Sequence, residues 1–231
     1  MIDCGFSTRE VEKRLARLNT SAEDLDAILV THEHGDHVRG VARLSRKYQI
    51  PVWMTHGTHS KCSPREDYPY LKLFNSHKTF TVDALHIQPF PVPHDAREPV
   101  QFVISNGVRR LGILTDTGSI TAHIKTMLNG VDALMLEGNH DLEMLMNGDY
   151  SASLKRRVSS HQGHLSNDQS ADLLGSIDCS NLQHLVAMHL SEANNHPDKV
   201  QQSFSSAFNG ADEVLTLACQ EQGFDWIELA S

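Results

Sequence analysis

The chain has 231 residues, 39% of them hydrophobic, and 8 prolines, which suits one large globular α/β domain. Its longest apolar runs are a few residues, which excludes a transmembrane helix, and Met1-Ile2-Asp3-Cys4-Gly5 lacks the basic and apolar regions of a signal peptide. A net charge of −9 argues against non-specific nucleic-acid binding over the whole surface, yet allows a local phosphate site where divalent metals add positive charge.

In chain order, Ser7-Thr8-Arg9-Glu10 is a capping box that opens a helix to about Leu18, and Ser21 with Asp24 repeats the signal. Residues 27–30 are a short apolar stretch that reads as a buried strand. Residues 38–48 read as a helix with Val38, Val41, Ala42, Leu44 and Tyr48 on one apolar stripe. Strands are expected at 52–54, 79–82 and 85–90. A hairpin joins 100–105 to 109–114 across Asn106-Gly107. A helix at 120–128 and a strand at 133–136 follow. Ser166-Asn167-Asp168-Gln169 caps a helix to about Ile177, and 185–188 is a strand. Pro197 opens a helix to Phe208, and strands at 214–217 and 226–229 close the chain. With no linker or repeat, residues 1–231 read as a single domain, a layered α/β sandwich with helices outside sheets. The four cysteines, Cys4, Cys62, Cys179 and Cys219, lack C-x-x-C spacing and read as free thiols of a reducing cytosol; for Cys62 and Cys179 this is favoured over a ligand role.

The run Thr31-His32-Glu33-His34-Gly35-Asp36-His37 narrows function most: four potential metal ligands lie within six residues. On a regular strand His32 and His34 would share a face while His37 pointed away. In a tight strand-to-helix loop, backbone geometry can aim several imidazoles at one point. A solvated polar turn is the plain alternative. Further donors sit at strand ends: His94, Asp116 and His189. Together the set has the mixed nitrogen and oxygen ligation of a two-metal hydrolase.

The H-x-H-x-D-H run, with His94, Asp116 and His189 following in order, resembles the metallo-β-lactamase superfamily. That resemblance implies a four-layer αββα sandwich with a dinuclear site at one edge of the sheets. By match to its motifs, His32, His34 and His94 would hold one metal. Asp36, His37 and His189 would hold the other, with Asp116 bridging. Asp3, in Ile-Asp-Cys-Gly, would orient the ligand loop from behind. Zinc is the first expectation for the two divalent ions, and manganese or iron would tolerate the same ligands.

Four segments are similar to the YycJ/WalJ family of bacterial metallohydrolases, over nearly the whole chain. They are Leu136-Glu137-Gly138-Asn139-His140-Asp141, Leu154-Lys155-Arg156-Arg157, Gly163-His164-Leu165-Ser166-Asn167 and His189-Leu190-Ser191-Glu192-Ala193-Asn194-Asn195. The similarity implies a phosphodiesterase, a nuclease acting on DNA like an exonuclease, with a nucleic acid or other phosphodiester as partner and no membrane. The layout also resembles ribonuclease Z. On that comparison Glu137 would keep His164 protonated, so that His164 serves as general acid. A metal-bridging hydroxide would be the nucleophile, and Asp36 belongs to the catalytic set. The alternative has His164 as a polar neighbour of a helix cap and Glu137 as a strand-end carboxylate.

Asn139 and His140 are expected either to touch substrate or to pack their loop. Lys155, Arg156 and Arg157 either grip phosphates or form a solvated helix face. Arg39, Arg43, Arg46 and Lys47 read as solvent-facing, and His56, His59, His86, His123 and His184 as structural or surface residues. Family members usually begin with an extra strand pair before the Ile-Asp-Cys-Gly segment. Either the true start lies upstream of Met1, or two strands are lost, which would expose a sheet edge and invite dimerisation. The other functional classes in view are a hydrolase of another ester, such as a glyoxalase II type thioesterase or a lactonase, and a non-catalytic metal-stabilised binding protein.

Overall fold

A computed structural model describes residues 1–62, 66–208 and 210–230, and their contacts gather into two units. The first unit is Met1–Pro91 with Ala96–Val100. It opens with α1 (Thr8–Arg17), where Ser7 Oγ accepts from Glu10 N. Glu10 gives its carboxylate to Arg14 Nε at 2.9 Å, so the expected capping box is half made. A 3₁₀ turn at Ala22–Asp24 carries the complete box from Ser21. β1 (Ile28–Leu29) then leads through the ligand run into α2 (Gly35–Val38) and α3 (Val41–Tyr48).

The single helix expected over 38–48 is therefore two, and the first starts inside the ligand run. The cause lies at Gly40, whose amide donates to Cys4 O at 2.8 Å instead of continuing the helix. A side chain there would also sit 1.9 Å from Phe6 O, so only glycine allows the N-terminal segment this close.

β2 (Val52–Thr55), α4 (His56–Lys61), β3 (Leu71–Phe74), β4 (Phe80–Val82) and β5 (Leu85–Pro91) complete the unit. β1, β2 and β3 run parallel, with Ile28 opposite Val52 and Trp53 opposite Lys72, as helical crossovers require. β4 and β5 are antiparallel. Val41 and Leu44 of α3 are buried with Ile28, Val30, Val52 and Met54. Each such side chain contributes roughly 1.5–3 kcal/mol on burial.

The second unit is Val92–Asp95 with Gln101–Ser231. β6 (Val100–Ser105) and β7 (Arg110–Leu114) form the expected hairpin, with Gly107 at φ 90 and Asn106 Oδ1 accepting from Arg109 N at 2.8 Å. Then follow α5 (Ala122–Leu128), β8 (Ala133–Glu137), α6 (Leu142–Asn147), α7 (Ala152–Val158) and α8 (Asn167–Leu174). β9 (His184–Met188), α9 (Pro197–Ser205), α10 (Ala211–Val214) and β10 (Leu215–Leu217) close it. β7, β8, β9 and β10 are neighbours in that order and all parallel, so three adjacent strands, β7 to β9, end on the same side. Their side chains Leu114, Leu134, Leu136 and Leu185 are wholly buried, as are Ile124, Leu128, Val200 and Phe204 of the helices.

The strand expected at 226–229 does not form. The tail is held by side chains instead: Gln183 brackets Ala230, and His184 Nε2 meets Glu228 O at 3.0 Å. Among the described residues no helix is long and apolar enough to cross a membrane.

Candidate metal centre

In the first unit, the ligand run is fastened from behind by Asp3. Its Oδ1 accepts from Thr31 N, and its Oδ2 accepts from Thr31 Oγ1 and from His37 Nδ1, each at 2.8 Å. Because the Thr31 hydroxyl donates to Asp3, it accepts from His32 Nδ1 at 2.9 Å. Both imidazoles thus carry their proton on Nδ1, which makes Nε2 the lone-pair nitrogen. His34, the N-cap of α2, brings its Nδ1 to 2.9 Å from His32 Nε2, so two ring nitrogens meet at one place. Asp36 Oδ2 lies 3.5 Å from His37 Nε2. A Cβ on Gly5 would fall 1.7 Å from Asp36 O, so glycine lets the N-terminal segment lie flat on the ligand turn.

In the second unit, donors come from the ends of neighbouring parallel strands. Asp116 follows β7, Glu137 is the last residue of β8, and His189 follows β9. Asp116 and His189 take left-handed backbone, φ 48 and φ 60, which turns the chain sharply at the sheet edge. Asp116 Oδ1 lies 3.9 Å from His94 Nε2 and 3.8 Å from His189 Nε2, so one carboxylate oxygen stands near both imidazoles. His94 Nδ1 donates to Gly163 O at 3.1 Å.

Glu137 is wholly buried, and its Oε1 accepts from both His164 Nδ1 and His189 Nδ1 at 2.8 Å. Its Oε2 accepts from the amides of Thr117 and Leu165. Burial alone would push this carboxyl up, but the two imidazole hydrogen bonds outweigh it and hold it well below the usual carboxylate range. Asp116, Glu137, His164 and His189 each bring one ligand-type atom within 4.8 Å of the others.

This donor chemistry fits divalent ions. His32, His37, His94 and His189 each commit Nδ1 to an oxygen, which directs Nε2 outward, and carboxylates stand among them. The matched family is the beta-lactamase superfamily domain, over residues 1–190. The chain belongs to the metallo-β-lactamase superfamily. It stands in the YycJ/WalJ branch. Exodeoxyribonuclease YycJ of Bacillus anthracis is 33% identical over 210 residues, 89% of this chain and 79% of that protein. Exodeoxyribonuclease WalJ of Streptococcus pneumoniae (strain D39) is 34% identical over 200 residues, 84% and 74% respectively. The metallo-β-lactamase fold protein YhfI from Bacillus subtilis superposes with TM-score 0.71 at 18% identity, covering 98% of this chain and 86% of its own. The chain has the metallo-β-lactamase fold.

The branch-like segments of this metallo-β-lactamase are stitched to one another. Asn139 N donates to Leu165 O, Asn167 N to His140 O and Ser191 N to Asn139 O. The amides of Asn167 and Asn195 pair at 2.9 Å, and Ser170 Oγ donates to Glu137 O at 2.6 Å. Asn139 Nδ2 donates to His189 O. His140 is 1% exposed, so of the two expectations for it, loop packing is the one its burial favours. Lys155 Nζ reaches Met146 O, Arg156 is exposed on α7, and Arg157 Nε pairs with Asp95 Oδ2 at 2.6 Å. Arg39, Arg43 and Arg46 are exposed, and Lys47 pairs with Glu12. All four cysteines are free, and burial pushes the Cys62 and Cys179 thiols up, away from the thiolate a metal needs. Sequence reasoning missed Thr31 as the link between Asp3 and His32, and the second partner of Glu137. Adjacency to the histidine run was the available signal for Thr31.

Proposed function

We propose that the protein is a dinuclear metal-dependent phosphodiesterase that degrades DNA from an end, residues 1–231 serving as one domain with one metal centre. On this reading His32, His34 and His94 hold one ion, Asp36, His37 and His189 the other, and Asp116 bridges. Zinc is the expected metal, and four free cysteines favour a reducing cytosol. When bound, two such ions supply an acidified water and stabilise charge on a transferring phosphoryl group.

The chain's own residues do the rest. Asp3 and Thr31 fix the tautomers of His37 and His32. Asp36 is exposed beside His37, and on this reading it takes part at the water-facing side of the centre. Glu137 sets the orientation of His164, which on this reading gives a proton from Nε2 to the leaving oxygen. Asn139, Arg156 and Arg157 are the candidate contacts to the nucleic-acid strand.

The observation that carries the reading is the shared acceptor at Glu137. One buried carboxylate oxygen takes Nδ1–H from both an expected ligand and the expected acid, so the two rings are oriented by one atom. Similarity to two proteins named exodeoxyribonucleases supports DNA as substrate. The test is elemental analysis followed by hydrolysis of end-labelled DNA and bis(p-nitrophenyl) phosphate. Wild type should bind about two ions, with turnover abolished in Asp116→Ala. His164→Ala should lose about 10²- to 10⁴-fold while keeping its metals. Metal-loaded protein that cleaves neither substrate would overturn the reading, and a thioester panel would then identify the bond attacked.

A further inference from the structure

Outside the donor set, the first unit carries a cavity of about 400 Å³, broadly open to solvent, lined by His56, Gly57, Ser60, Arg97 and Glu98. Glu98 is committed to building it. Its Oε2 accepts from Gly57 N at 2.7 Å and its Oε1 from Ser76 Oγ at 3.0 Å, while its backbone carbonyl accepts from Thr55 Oγ1 at 3.1 Å. A Cβ on Gly57 would sit 2.3 Å from Glu98 Cβ and 3.2 Å from Arg97 Cγ, so the wall closes only on glycine. Ser60 Oγ donates to Gly57 O at 2.7 Å.

The donors left facing the cavity are then the side chains of Arg97 and His56. Among the described residues neither side chain has a hydrogen-bond or ion-pair partner, and both are exposed. The backbone of Arg97 is anchored by Glu33 Oε1, which accepts from its amide at 2.7 Å. Glu33 lies between His32 and His34, so the cavity is tied directly to the ligand run. A guanidinium fork with an imidazole beside it offers the planar, paired N–H donors that suit the oxygens of a phosphate.

We propose that this cavity is a second phosphate subsite, in which Arg97 and His56 hold a nucleic-acid phosphate next to the one being cleaved. The inference rests on the phosphodiesterase reading for its substrate class. It gives the enzyme a grip on the strand that a small diester cannot use.

The test compares wild type, Arg97→Ala and His56→Ala, with Arg43→Ala as a control for loss of one exposed positive charge. Probes are inorganic phosphate and a short single-stranded DNA with or without a 5′-phosphate. Arg97→Ala should weaken DNA binding and raise KM for DNA by about tenfold or more, with a smaller effect from His56→Ala and none from Arg43→Ala. KM for bis(p-nitrophenyl) phosphate, which has no neighbouring phosphate, should move far less. Loss that depends on the 5′-phosphate assigns the subsite to a strand terminus; loss without that dependence assigns it to an internal phosphate. Inorganic phosphate should shift the His56 ring resonances of wild type but not of Arg97→Ala. That readout decides the proposal even if no phosphodiester is turned over. Equal DNA affinity and equal phosphate response in wild type and Arg97→Ala would overturn it.

Discussion

The two sets of donors are built in opposite ways. In the first unit His32, His34, Asp36 and His37 lie within six residues, on one turn backed by a single carboxylate. In the second unit His94, Asp116, Glu137, His164 and His189 span nearly a hundred residues of sequence, and β7, β8 and β9 bring three of them to one sheet edge. The first set depends on local backbone geometry, the second on register between strands. Damage to either should therefore look different, even where both feed the same chemistry.

After loss of Asp116 itself, the largest effect is expected at Glu137, where one oxygen serves both His164 and His189. Glu137→Gln keeps the shape but removes the negative charge, and its amide NH2 would face the Thr117 and Leu165 amides, or the two imidazoles, donor against donor. Turnover should fall about 10³-fold or more, with weakened metal retention, because an acid and a ligand are misoriented together. Kinetics beside elemental analysis would check this; a change below tenfold would mean the two histidines do not need their common acceptor.

The matching strike on the contiguous set is Asp3→Asn. It should cost about 10- to 100-fold in metal affinity, read by chelator competition, because Thr31 and His37 lose a shared acceptor. The loss should be smaller than for Glu137→Gln, since the short turn retains its covalent shape.

Backbone crowding sharpens the contrast further. A Cβ on Gly118 would lie 2.3 Å from Gly163 N, forcing apart the loops that carry Asp116 and His164. Gly118→Ala should destabilise the fold by about 1–3 kcal/mol in a denaturant melt and also impair turnover.

The smallest effect is expected away from both sets. Asp132 accepts from Arg109 Nη1 at 2.7 Å and Arg110 N at 2.8 Å. Burial would push its carboxyl up, but these partners outweigh it and hold it below the usual range. A depressed carboxyl stabilises the fold above its unfolded value, near 3.9, and that contribution is lost as pH falls through the lower folded value. Asp132→Asn should therefore cost about 1 kcal/mol at neutral pH, with the difference shrinking below about pH 4. An unchanged gap at pH 3 would contradict this.

The contiguous set was legible because its ligands are neighbours in sequence, and the flanking apolar runs announced strand and helix. Of the scattered set, His94, Asp116 and His189 were legible as donors at strand ends, and Glu137 and His164 only by resemblance, since no spacing rule links Asp116 to Glu137 or His189; their meeting follows from parallel pairing of β7, β8 and β9. The hairpin at Asn106-Gly107 came through because its turn chemistry is local. α4, α6 and α7 did not. Each has six or seven residues and at most one buried position, too little for an apolar stripe, although Thr55, Asp141 and Ser151 cap them as a sequence could have suggested. The false strand at 226–229 failed for a non-local reason: its backbone is taken up by the side chains of Gln183 and His184, which alternation in the tail does not announce.

Asp3, Asp116 and His189 all sit in left-handed backbone, at φ 53, 48 and 60. For residues with a side chain this conformation costs on the order of 1 kcal/mol or more each. Asp3 and His189 offset that cost with hydrogen bonds to Thr31, His37 and Glu137, so a selection for thermal tolerance alone would press first on Asp116, where Asp116→Gly should relax the backbone while removing the carboxylate between His94 and His189. The chain holds its reactive edge in tension against its own durability, so hardier variants recovered without a screen for turnover should accumulate losses there first.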